Sequence, residues 1–80
     1  MQDDLDGRGR RDEAASHPLR RAMLGVLAEG RRLPATALCH ELPESPSLSV
    51  VHYHLSVLVD AGLVERIEDP TARPVYARAA

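Results

Sequence analysis

Four side chains that can form hydrogen bonds occur at helical spacing in the segment 47–61. They are Ser49, His52, Tyr53 and Ser56, and Val50 lies beside them. Hydroxyl and imidazole groups can bond base edges or phosphate oxygens, and a valine can contact the methyl group of thymine. The pattern therefore indicates a surface that binds nucleic acid. The alternative is a helix with nothing more than a polar outer face, because such residues are common on solvated helices.

The same residues offer little for catalysis. His52 and Ser56 are neighbours on one helix, but no third group to orient the imidazole and no oxyanion site accompany them. The chain also has no glycine-rich phosphate loop. We therefore predict that the protein is not an enzyme, and we expect no cofactor.

The consecutive residues Cys39, His40 and Glu41 have side chains that can bind metal ions. A sensing site needs three or four converging ligands, however, and the chain has no second cysteine. His52 and His54 would lie about 200° apart around a helix, so they cannot hold one ion together. We predict a small buried cysteine, no metal site, and a His54 that packs beside the apolar stripe of its helix and bonds nearby backbone.

Hydrophobic periodicity and turn residues indicate the elements that must position these side chains. The segment 47–61 has one apolar stripe at helical spacing, made of Leu48, Val51, Leu55, Leu58 and Val59. Gly62 ends this helix, and strands over 63–68 and 74–78 follow, joined by a turn. Pro74 at the start of the second strand favours an edge position for that strand.

Two shorter helices precede this segment. The sequence Ser16-His17-Pro18 predicts a capped start for the first helix, which should end near Gly30. Residues 31–33 form an extended link, the second helix covers 35–42, and a turn with two prolines at 43–46 ends it. Three helices followed by a β-hairpin predict an α+β fold, mainly α, of the winged helix-turn-helix type.

Eighty residues allow one small domain. The segment 1–13 is charged and lacks an apolar period, so we predict a disordered tail there and place the domain at 14–80. The formal net charge is −2, and seven arginines balance seven acidic residues from Ala14 onward, so the domain has no global basic field. A single cysteine and the lack of a long apolar run predict a cytoplasmic protein that does not enter a membrane.

The chain contains the stretches HPLRRAMLGVLAEG, from His17, and VVHYHLSVLVDAGLVE, from Val50, and it has RPVYAR near its end. These stretches resemble the ArsR-type winged helix-turn-helix regulators of bacteria. The resemblance implies that the third helix faces DNA. It also implies base contacts at Ser49, His52 and Tyr53, with Val50 alongside.

Contacts with the DNA backbone require cations or hydroxyl groups. All ten basic residues are arginines, whose planar guanidinium group suits phosphate. Arg31 and Arg32 precede the second helix, Thr36 lies in its first turn, and Arg73 lies next to the tip of the hairpin. We predict backbone contacts at these four residues and at Ser56.

The favoured interpretation is a small bacterial transcriptional regulator that binds double-stranded DNA as a homodimer, with the first helix as the expected dimer interface. No small-molecule effector is evident. One alternative is a winged helix used as a protein–protein interaction module, which the near-neutral charge and the apolar residues Leu48 and Val50 favour. A third is a metal-responsive sensor that uses Cys39.

Overall fold

The computed structural model describes residues 10–79 of the chain, which form four α-helices and three β-strands. They are α1 (Arg10–Ser16), α2 (Pro18–Val26), β1 (Arg32–Leu33), α3 (Ala35–Glu41), α4 (Leu48–Asp60), β2 (Val64–Asp69) and β3 (Ala72–Arg78). The predicted three helices and hairpin are present as α2, α3, α4, β2 and β3. No helix in this part of the chain is both long enough and apolar enough to span a membrane.

The helix α1 overlaps the segment for which the sequence predicted a disordered tail. That prediction is wrong for residues 10–13, which are helical, whereas residues 1–9 lie outside the described residues. Ala14 is buried in the core and Ala15 packs against it, so contacts with α2 and α4 hold α1 in place. Tertiary packing of this kind stabilises a short helix that has no apolar period of its own.

A histidine caps α2. Nδ1 of His17 accepts the backbone N–H of Leu19 at 3.2 Å, and Pro18 occupies the first helical position, where no N–H is needed. The predicted cap, Ser16, instead belongs to α1, where its hydroxyl donates to the carbonyl of Glu13 at 2.8 Å. The entry into α2 is therefore set by an imidazole and a proline.

Left-handed backbone closes two of the connections. The helix α2 ends at Val26, earlier than the end near Gly30 that the sequence predicted. In the connection that follows, Glu29 and Gly30 have φ values of 63° and 78°. Glu44 and Ser45 have φ values of 64° and 42° in the predicted turn between α3 and α4. This conformation is costly for residues other than glycine, so the packing of the flanking elements must hold it.

The strands form an antiparallel sheet in the order β1–β3–β2. Leu33 of β1 pairs with Tyr76 of β3, so the predicted extended link is confirmed as an edge strand. The edge position that Pro74 suggested for β3 is wrong, because β3 is the central strand. Proline is tolerated there because β1 reaches only Tyr76 and Ala77, and the missing N–H removes no bond to β1.

The core is aliphatic and joins the helices to the sheet. Its fully buried side chains are Met23, Leu27, Leu38, Val51, Leu55 and Leu58. Val64 of β2 and Tyr76 of β3 extend this cluster onto the sheet. Leu48, which the sequence placed in the buried stripe, is instead 41% exposed because it begins α4 and borders an open groove. Its exposure leaves an apolar side chain on the functional side of the helix.

Candidate nucleic-acid interface

The outer surface of α4 carries the predicted binding residues. Ser49, His52, Tyr53 and Ser56 are all exposed, and Val50 is 40% exposed at the margin of this surface. The opposite side of α4 is packed in the core. The structure therefore brings these five side chains together on one rigid helix, as their spacing predicted.

Local hydrogen bonds form at the start of α4 and between its later turns. Oγ of Ser47 accepts the backbone N–H of Val50 at 3.3 Å and caps the helix. The hydroxyl of Ser56 donates to the carbonyl of Tyr53 at 2.7 Å. A phosphate oxygen can only accept a hydrogen bond, so the backbone contact predicted at Ser56 requires its hydroxyl to rotate away from Tyr53.

A shallow groove joins the first turns of α4 to the wing, which is the hairpin of β2 and β3. Its lining includes Leu48 and His52 of α4, Thr36 of α3 and Arg73 of β3. Two predicted backbone contacts, Thr36 and Arg73, therefore lie around the same groove as the predicted base contact His52. Thr36 is half-buried, whereas Arg73 is exposed.

The arginines predicted to hold the DNA backbone differ in their pairing. Nη1 of Arg31 lies 3.4 Å from Oε1 of Glu41, in an ion pair that is about half exposed. Arg32 and Arg73 are exposed and form no ion pair within residues 10–79. These two guanidinium groups are therefore available to phosphate, whereas Arg31 must first break its ion pair with Glu41.

Two charged side chains near this surface were not among the predicted site residues. Arg66 of β2 and Asp60, at the end of α4, line a groove with His52 and Ser56. Arg66 pairs with Glu68, so acidic groups offset positive charge on this side. Asp60 was recognisable from the sequence because it lies four residues after Ser56 and thus on the same side of the helix.

The tip of the wing is ordered by a side-chain turn. Oδ1 of Asp69 accepts the backbone N–H and the hydroxyl of Thr71, each at 2.9 Å. These two bonds, first the one from the backbone, lower the pKa of the Asp69 carboxyl. Arg73 follows two residues after Thr71, so it extends from a fixed turn.

His54 lies on the buried side of α4 against the start of α2. Its ring centroid is 4.7 Å from that of His17 and 5.1 Å from that of Tyr53. Nδ1 of His54 has no hydrogen-bond partner among the described residues, so the predicted bond to nearby backbone is wrong. Burial, and then the charges of His17 and Arg20, lower the pKa of His54.

We expect acid to destabilise the fold through His54. A histidine whose pKa is lower in the folded state stabilises the fold above its unfolded pKa of about 6.5, and this contribution is lost as the pH falls through the folded value. The Tm, followed by circular dichroism, should decrease from about pH 7.5 to about pH 5, and His54→Leu should reduce that decrease. His40→Gln alters an exposed histidine on α3 and should retain it. An equal decrease in wild type and His54→Leu would contradict this expectation.

The residues considered for metal binding are dispersed in the structure. Cys39 is half-buried, His40 is exposed, and Glu41 pairs with Arg31. His52 is exposed on one side of α4, whereas His54 is buried on another. Residues 10–79 contain no group of three potential ligands arranged to hold an ion. The described residues therefore provide no candidate metal centre.

A helix that presents polar side chains from a packed core, with a short helix before it and a β-hairpin after it, defines a winged helix-turn-helix protein. A family model described as a helix-turn-helix domain matches residues 15–67. The chain belongs to this helix-turn-helix domain family. No curated protein sequence matches it.

Several solved structures share the fold. One is Mb0332 from Mycobacterium bovis, which is described as a homodimeric winged helix-turn-helix DNA-binding domain of a possible ArsR-family transcriptional regulator. It is 26% identical to this chain with a TM-score of 0.83, and the match covers 99% of this chain and 69% of that chain. NolR from Sinorhizobium fredii is 22% identical with a TM-score of 0.83, over 99% and 75% of the two chains. HlyU from Vibrio cholerae is 20% identical with a TM-score of 0.82, over 100% and 83%. The predicted fold and the resemblance to ArsR-type regulators are confirmed.

Proposed function

We propose that the protein is a DNA-binding transcriptional regulator that uses α4 as its recognition helix. The supporting observation is the exposed row of Ser49, His52 and Tyr53 on a packed helix whose first turns share a groove with the unpaired Arg73. Groups that bond base edges thus lie beside a cation suited to phosphate. Membership of the helix-turn-helix domain family and the likeness to the DNA-binding domain of Mb0332 support the same function.

In this proposal the N-terminal half of α4 enters the major groove. The helix has 13 residues, and an α-helix about 10 to 12 Å in diameter fits into a major groove about 12 Å wide. Ser49, His52 and Tyr53 contact base edges with Val50 alongside. Asp60 at the other end repels phosphate, so α4 is tilted with its first turns toward the bases.

Two groups of residues are proposed to contact the DNA backbone. Arg32, Thr36 and Arg73 are proposed to contact phosphates directly, because none of them has an ion pair or side-chain hydrogen bond within residues 10–79. Arg31 and Ser56 are proposed to contact phosphates once their present hydrogen bonds, to Glu41 and to the carbonyl of Tyr53 respectively, are broken. The near-neutral charge of the chain makes these few contacts decisive, because no broad positive surface supplements them.

We propose that the protein acts as a homodimer. A single α4 reads few base pairs, and a two-fold pair of recognition helices would read two half-sites about one helical turn apart. The homodimeric state described for Mb0332 supports this arrangement. Such a role requires binding without catalysis, and it places the protein with the DNA in the cytoplasm.

A salt titration tests the proposal. Fluorescence anisotropy with a labelled duplex of mixed sequence should give an affinity whose logarithm falls linearly as the logarithm of salt concentration rises, with a slope near −0.9 for each phosphate contact. Absence of binding at low salt would contradict the proposal.

Arg73→Ala should flatten this dependence. Loss of one phosphate contact per protomer reduces the steepness of the slope by about 0.9 per copy of the chain bound and weakens binding to all sequences alike. Arg78→Ala is the matched control, because Arg78 is also exposed but lies at the far end of β3 from the wing tip. Equal slopes for wild type and Arg73→Ala would remove Arg73 from the proposed interface.

The second candidate function is a winged helix that binds another protein. The exposed large apolar side chains of the described residues are Leu48, Val50 and Tyr53, and all three lie on α4. With a net charge of −2, they form a surface that a protein partner could cover. This candidate predicts little DNA affinity at any salt concentration, so the same titration separates the two.

A further inference from the structure

We infer that α4 selects DNA by the 5-methyl groups of thymine, with Leu48 and Val50 as the contacting side chains. This inference rests on the proposed function and specifies the DNA that the recognition helix prefers. Leu48 is 41% exposed and Val50 is 40% exposed, and both belong to the first turn of α4. Residues in the first turns of a recognition helix are those that reach base edges.

The composition of α4 excludes the bidentate hydrogen bonds by which proteins most often read bases. Guanine is most often read by Arg or Lys, and adenine by Asn or Gln, each through two hydrogen bonds. The helix LSVVHYHLSVLVD contains none of these four residue types. Its remaining polar readers, Ser49, His52 and Tyr53, are hydroxyl and imidazole groups. Apolar contact therefore has to carry a larger share of the discrimination between base pairs.

The thymine methyl group is the apolar feature that a normal base pair presents in the major groove. Leu48 and Val50 lie on either side of Ser49, about 160° apart around the helix. They can therefore cover methyl groups at two separate positions while Ser49 faces the base edges between them. Covering the two side chains also removes apolar surface from water, which is favourable.

The charge around Leu48 matches DNA rather than an apolar protein partner. Leu48 and His52 line the same groove as Arg73, which forms no ion pair within residues 10–79. A polyanion that brings methyl groups to Leu48 would place a phosphate chain near this guanidinium group.

Two pairs of polymer duplexes test the inference directly. Poly(dA-dU) keeps every hydrogen-bonding group of poly(dA-dT) and lacks the methyl groups, whereas poly(dG-m5dC) adds a methyl group to poly(dG-dC) at the same ring position. We expect about fourfold tighter binding for each methyl group contacted, or about 16-fold for the two that one protomer contacts, in favour of the methylated member of each pair. The double variant Leu48→Ala with Val50→Ala should bind both members of a pair equally.

Three results would overturn the inference. Equal affinity of the wild type for poly(dA-dT) and poly(dA-dU), with steep salt dependence, would remove methyl recognition and leave the proposed function standing. If the double variant still prefers the methylated duplexes, residues other than Leu48 and Val50 recognise the methyl groups. Lack of binding to every duplex at low salt would overturn both the inference and the proposed function.

Discussion

Ser49→Glu is expected to weaken DNA binding by at least about tenfold, which corresponds to about 1.4 kcal/mol, while the domain remains folded. Ser49 is exposed at the second position of α4. A carboxylate there interacts favourably with the N-terminal end of the helix dipole, so the substitution should not destabilise the fold. In the proposed complex the same carboxylate faces the negative potential of the major groove and its phosphates, and like charges at an interface are strongly unfavourable.

The matched control for this variant is Ser49→Gln, which has nearly the same size and shape but no charge. Anisotropy titrations at one fixed salt concentration should show Ser49→Glu binding at least about tenfold more weakly than Ser49→Gln, since the two variants differ in charge and hardly in shape. Gly25→Glu gives the same net charge on α2, at a position where an added Cβ meets nothing within 4 Å. Because α2 is the expected dimer interface, gel filtration must first show that this variant keeps the oligomeric state of the wild type, and it should then bind as the wild type does. Equal weakening by Ser49→Glu and Gly25→Glu would show a general charge effect and no contact at α4.

Leu58→Ala is expected to remove a large part of the stability of the domain. Leu58 is fully buried in the core side of α4, and truncating a buried leucine to alanine costs about 2.7 to 5 kcal/mol because the cavity closes only in part. The total free energy of unfolding of a domain is about 5 to 15 kcal/mol. The Tm should fall by roughly 10 to 40 °C, since 1 kcal/mol corresponds to about 4 to 8 °C in a small domain.

Val50→Ala is the matched control for Leu58→Ala, because it shortens an aliphatic side chain that is 40% exposed on the same helix. Its free energy of unfolding should change by no more than about 0.5 kcal/mol. Thermal melts followed by circular dichroism at one protein concentration would measure both variants, since a dimer makes Tm depend on concentration. A similar loss of stability in both would contradict the assigned sides of α4.

Much of the fold was predictable because local signals and packing agree. The apolar stripe of α4 and the break at Gly62 predicted this helix to within a residue at each end. The turn residues 69–72 predicted the wing in the same way. The exposed polar row followed from the same periodicity, since a side chain opposite a buried stripe must face solvent.

The features that sequence reasoning missed depend on contacts between elements. The helical residues 10–13 have no apolar period, and Ala14 is buried only because α2 and α4 are there to cover it. The central position of β3 depends on its pairing with β1, whose two residues, Arg32 and Leu33, carry too short a pattern to predict a strand partner.

Two side chains of α4 show the same limit at the candidate site. Leu48 fits the apolar stripe by its spacing, but it stays exposed because nothing in residues 10–79 covers the first turn on that side. His54 lies at the flank of the stripe, and only the position of His17 and the start of α2 makes it buried. Periodicity predicts the side of a helix, whereas burial depends on which neighbour reaches that side.

An NMR titration of the 15N-labelled protein with duplex DNA tests most directly the claim that α4 and the wing form the binding surface. We expect the amide signals of Ser49, His52, Tyr53 and Arg73 to shift as DNA is added. The amide signal of Gly25 on α2 should not move, because α2 contributes no residue to the proposed DNA interface. Shifts confined to α2, or none at α4 when DNA is bound, would show that α4 and the wing do not bind the DNA.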